Sequence, residues 1–143
     1  MYGSLDISTS GMVAQRTRLE VISANIANAD AVADADGNPN PYRRRITMMA
    51  PGDPTSSSRV GRAGGVHVAE IAEDSAPFEP RYDPTNPFAF PEGHEMAGYV
   101  LYPNVDPMIE QVNALEAARA YEANIAAAEA TKTMMGQALR ILG

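Results

Sequence analysis

A chain of 143 residues has the length of one domain, and its net charge of -7 excludes the clustered basic surplus that nucleic-acid binding needs. The lack of cysteine excludes disulfides and thiolate chemistry and leaves the redox compartment open. No run reaches the roughly 18 apolar residues of a membrane-spanning helix, so direct membrane insertion is not expected. The start, Met1 to Asp6, lacks a basic stretch followed by an apolar one, so no cleaved signal peptide is expected. Charge is uneven along the chain: residues 1–62 carry seven basic and six acidic side chains, residues 63–143 four and twelve. A subunit polarised in this way can stack head to tail.

In chain order, Ser8, Thr9 and Ser10 offer N-caps for a first helix reaching residue 27. Its apolar positions Met12, Leu19, Ile22 and Ile26, with Leu5 one heptad before Met12, form a narrow seam. The rest of the segment is small or polar, so the helix alone is marginal. A turn-rich linker follows over 30–41. Within it, Asp34, Asp36 and Asn38 begin like a calcium loop, but Pro39 and Arg45 stand where the pattern requires Gly and Glu. A solvated turn is the better reading, and a calcium-dependent interaction module stays as an alternative of a different class.

Strand candidates lie at Arg43 to Met49, Val66 to Ala72, Phe78 to Tyr82 and Gly98 to Leu101, between loops rich in Gly, Pro and Ser. Arg43, Arg44 and Arg45 are the one basic run, and strand alternation puts Arg43 and Arg45 on one face. They read either as a guarded edge strand or as a contact with the acidic surface of a neighbouring subunit. Asp83 to Gly98, with Phe88 and Phe90 among prolines, reads as an extended loop anchored by aromatics. His94 and Glu95 begin a zinc-helix pattern that has Gly98 in place of its second histidine, and His67 has no ligand set nearby. No catalytic, cofactor-binding or metal residues are therefore expected, and no enzymatic activity.

The last helix begins after Asp106, a good N-cap, with Pro107 in the first turn, and continues to Leu142. Ala118, Tyr121, Ile125, Ala128, Lys132, Met135, Leu139 and Leu142 keep heptad spacing. Met108, Val112 and Leu115 keep similar spacing one residue out of phase, and nine alanines between Ala114 and Ala130 allow close backbone approach. Asn124 can add a polar contact beside Tyr121. The expected fold is α+β: long N- and C-terminal helices pair as a coiled-coil-like hairpin around a small, irregular β-rich middle. The expected division is a helix over 1–28, a middle region over 29–104 and a helix over 105–143. Both helices are weakly apolar, so folding on assembly is expected, with neighbours completing the seams.

Two motifs carry a resemblance. Gly98-Tyr99-Val100 leads to Pro103-Asn104-Val105, and Arg119, Tyr121, Glu122, Ala123 and Asn124 follow on the last helix, with Lys132 and Met134 beyond. With Asp6-Ile7-Ser8, Asn25-Ile26-Ala27-Asn28 and Pro41-Tyr42-Arg43-Arg44, these resemble the FlgC family of rod proteins of the bacterial flagellar basal body. Asp30-Ala31, where the family usually has a threonine, and the extra length at Phe90 to Met96 depart from it. The resemblance implies a proximal-rod subunit in the periplasm, exported by the flagellar type III apparatus without a cleaved signal. It also implies helical assembly with other rod proteins and with copies of itself to transmit torque, without cofactors. Another rod or axial protein is the nearer alternative. The assembly interface then falls on the helix positions named above with Asn25, Asn28, Arg43 and Arg45.

Overall fold

The computed structural model describes residues 2–142, with the side chains of Tyr2 and Leu142 outside the described set. Its elements are α1 (Tyr2–Ala27), β1 (Arg45–Pro51), α2 (Arg59–Gly64), β2 (Val66–Glu73), β3 (Glu79–Tyr82), β4 (Tyr99–Tyr102) and α3 (Pro107–Leu142). The architecture is α+β, with long terminal helices packed on each other and a small β-rich middle.

α1 begins well before the serines expected to cap it. Ser8 and Ser10 lie inside the helix and are buried. Ser10 Oγ donates to the Ile7 carbonyl at 2.7 Å and accepts from the Val66 amide at 3.1 Å, so it ties the helix to β2. A serine good at capping is equally good at bonding one turn back along a helix, and spacing alone cannot tell the two uses apart. α3 starts where expected: Asp106 Oδ1 accepts from the Met108 amide at 2.8 Å and its carbonyl from the Glu110 amide at 3.0 Å.

Two antiparallel hairpins make up the middle, β1 with β2 and β3 with β4. The β1–β2 pairing shifts by one residue between Met48 and Met49, a bulge that bends the ribbon. α2 was not expected, because Gly61 and Gly64 weaken its helical propensity. Ser58 caps it by accepting from the Gly61 amide at 2.9 Å. The stretch from Asp83 to Gly98 folds back on itself instead of extending. Phe90 exchanges backbone bonds with Gly98 and Tyr99 at 3.0 Å, and its ring stacks on His94 at 4.5 Å. Gly98 closes the turn at φ +79°, a conformation that favours glycine.

α1 packs against α3 and also against α2 and the β1–β2 hairpin. Among the described residues the buried apolar ones are few and small: Ala14, Val21, Ile22, Val100, Pro103, Val105 and Ala117.

Candidate assembly interface

The two long helices run antiparallel. Gly11 of α1 lies against Asn124, Arg18 reaches Glu116 at 3.5 Å, and Asn25 reaches Glu110 at 2.9 Å. In this register each step forward on α1 is a step back on α3, and Tyr2 falls near residue 133. At about 1.5 Å per residue, the 36 residues of α3 outrun the 26 of α1 by about 15 Å.

The seam facing α1 mixes alanines with larger side chains. Glu110 and Ala117 are buried on it, and Ala114, Tyr121, Asn124, Ala128, Thr131 and Met135 are half-buried. A Cβ on Gly11 would sit 2.7 Å from Asn124 Oδ1, so glycine there is what lets the helices close.

Of the expected stripe, Tyr121, Ala128 and Met135 lie on this seam. Ala118 and Ile125 are half-buried on its flank, Lys132 and Leu139 are exposed, and the Leu142 side chain lies outside the described residues. On α1, Ile22 is buried, and Leu5, Met12, Leu19 and Ile26 are half-buried. The larger upstream residues turn outward: Met108, Val112 and Leu115 are each more than half exposed. Beyond the end of α1, Met134, Leu139 and Ile141 are exposed as well, Ile141 most of all.

At the other end of the pair a polar clasp joins four segments. Asn25, 1% exposed, uses its whole amide: Nδ2 donates to the Arg45 carbonyl at 2.8 Å and to Glu110 Oε2 at 2.9 Å. Its Oδ1 accepts from the Arg45 amide at 2.9 Å and from the Tyr42 hydroxyl at 3.0 Å. Glu110, equally buried, accepts on Oε1 from Arg44 Nη2 at 2.7 Å and Nε at 3.0 Å, and from Asn113 at 3.3 Å. Arg44 also donates to Asp74 Oδ2 at 3.1 Å, and its backbone amide donates to Asn104 Oδ1 at 2.8 Å. Burying a carboxylate is costly unless it is paired and fully hydrogen-bonded, and here it is both.

These contacts set the local charge balance. Burial works against the Arg44 cation, but the bonds to Glu110 and Asp74 outweigh it and hold its pKa above the usual value. The Ala76 amide, and then Arg44, hold the Asp74 carboxyl below its ordinary range. Burial pushes the Tyr42 hydroxyl up against the lowering pull of Arg45.

The clasp is built from the motifs that carry the resemblance, since Asn25, Tyr42, Arg44 and Asn104 all meet in it. Arg43 is held within the chain: it donates to the carbonyls of Asp74 at 2.9 Å and Ala76 at 3.0 Å and lies 4.4 Å over the Phe78 ring. Arg45 stays exposed, 5.6 Å over the Tyr42 ring. Asn28 donates back to the Ala24 carbonyl at 2.8 Å and finishes α1. Sequence reasoning missed Glu110 and Asp74. The available signal was an acidic residue in the first turn of α3 together with an asparagine on the inner side of α1.

The Asp34 carboxylate is occupied by the backbone amides of Asp36 at 3.1 Å and Asn38 at 2.9 Å, an ordinary turn. Among the described residues no group of three or more His, Asp or Glu could hold a metal ion.

A long helix pair clasped to a small β-rich middle, with no metal cluster among the described residues, is the frame of a structural subunit, and comparisons with known proteins give its family. The family described as "Flagella basal body rod protein" matches residues 5–33, and "Flagellar basal body rod FlgEFG protein C-terminal" matches residues 96–141. The flagellar basal-body rod protein FlgC of Bacillus subtilis is 42% identical over 98% of this chain and 97% of its own. FlgC of Salmonella typhimurium is 40% identical over 95% and 93%, and that of Borreliella burgdorferi 37% over 99% and 97%. The chain belongs to the FlgC family of flagellar basal-body rod proteins.

Proposed function

We propose that the chain is a structural subunit of the proximal rod, assembling helically in the periplasm and transmitting torque, with no catalytic role. One observation carries the mechanism: the inner face of α3 is used by α1 within the chain, while its outer face and its C-terminal turns stay uncovered. The clasp fixes the angle at which the helix pair leaves the β-rich middle, so force applied to the middle passes into the helices through hydrogen bonds and an ion pair. Other rod proteins with matching terminal helices are the natural neighbours, and delivery by the flagellar export apparatus is the route that membership of the rod family suggests.

The test is a deletion strain complemented by this gene, with mass spectrometry of purified hook-basal bodies. The expected result is loss of motility, its restoration on complementation, and the chain recovered in the rod fraction. A deletion strain that swims and keeps a complete rod overturns the reading.

A further inference from the structure

Among the described residues, the exposed large apolar side chains of α3 fall near its two ends, Ile109 and Leu139 among them, and the two groups match each other. Near its start, Met108 and Leu115 stand one heptad apart with Val112 between them, and they are 68%, 53% and 54% exposed. Near its end, Met134 and Ile141 also stand one heptad apart, 61% and 85% exposed. No described residue of the chain covers either patch.

Their surroundings carry opposite charge. Beside the first patch the exposed acids are Asp106 and Glu116, the latter 3.5 Å from Arg18, while Glu110 is buried against Arg44 and takes no part; residues 131–142 hold Lys132 and Arg140 and no acid. We propose that the C-terminal turns of α3 dock on the first turns of α3 in a second copy of this chain, the two helices running parallel with a stagger of about 26 residues, or about 39 Å. That offset sets Met134 beside Met108 and Ile141 beside Leu115, and it brings Arg140 into the neighbourhood of the second copy's exposed Glu116.

The contact joins unlike patches, so each copy keeps one free patch of each kind and the series stays open. A closed antiparallel dimer would use both patches at once and stop at two. The proposal rests on the structural-subunit reading and adds to it the partner and the register.

Sedimentation velocity of the purified full chain over a range of concentrations tests it. The wild type is expected to grow past the dimer as concentration rises, and to shift back toward monomer as salt screens the flanking charges. Ile141→Asp and Val112→Asp each put an unpaired carboxylate into one patch and are each expected to weaken self-association at least about tenfold. Both sites are exposed, so circular dichroism is expected to match the wild type. A mixture of the two variants retains one good patch on each partner and is expected to form a one-to-one dimer and go no further.

A wild type that stops at a dimer overturns the open contact. A wild type that remains monomeric throughout, or variants that associate like the wild type, overturns the second copy as occupant. Recovery of Ile141→Asp in rods of swimming cells would remove the docking proposal and leave the rod reading intact, whereas swimming of the deletion strain would remove the rod reading itself.

Discussion

Asn25 spends two donors and two acceptors in one buried place, and no other side chain of its size presents that pattern. Replacing it with Ala leaves the Arg45 amide, its carbonyl and one Glu110 oxygen without their partner, each a buried polar group. Asn25→Ala is therefore expected to cost about 2–3 kcal/mol in urea unfolding, more than a change at an exposed asparagine such as Asn40→Ala. Asp74 adds a pH dependence. Its carboxyl lies below the ordinary value in the folded chain, so its contribution is full above about pH 4 and is lost as pH falls through the lower folded value. Thermal melts of wild type and Asp74→Asn are expected to differ at pH 7 and to converge at strongly acid pH; a gap that persists there would show that the contribution is not that of the charge. At this scale the sequence was only partly legible. Asn25, Tyr42, Arg44 and Asn104 stood out as motif residues, but that they bond to one another, and to Glu110 and Asp74, depends on how four distant segments come together.

Elements were more legible than their contacts. The end of α1, the start of α3 and all four strands lie within a few residues of where capping residues, Pro107 and alternation put them. The start of α1 was misplaced because Ser8 and Ser10 look like caps, and α2 was hidden by its glycines. The α3 seam was read partly out of line: Tyr121, Ala128 and Met135 lie on it, but Ala117, Asn124 and Thr131 face α1 where Ala118, Ile125 and Lys132 were expected. That alignment can be tested at Gly11. Gly11→Leu pushes a side chain into Asn124 and is expected to destabilise the chain by about 2 kcal/mol, roughly 5 to 10 °C in Tm. In an Asn124→Ala background the same change is expected to cost distinctly less, since the obstructing amide is gone. Equal costs in the two backgrounds would show that the helices do not meet at this point.

Across the whole molecule, polar anchoring and apolar burial are unevenly distributed. The clasp, rich in bonds, holds the Asn25 and Glu110 end of the helix pair, while the far end relies on Ala, Ser and Gly contacts and then on exposed turns. Burial of apolar surface is what offsets the entropy of ordering a chain, and among the described residues the fully buried apolar side chains larger than alanine are few: Val21, Ile22, Val100, Pro103 and Val105. The helices of a lone subunit should therefore open often at the far end and seldom at the clasp. Hydrogen exchange on dilute monomer is expected to show its strongest helical protection around residues 21–25 and 110–117 and almost none over 131–142. In assembled rods, protection is expected to extend along both helices, because neighbours supply the apolar surface that the chain does not bury for itself. Full protection of residues 8–27 and 108–142 in the monomer would mean that the pair is stable without neighbours. Assembly would then be docking of finished parts, and folding would not be coupled to it.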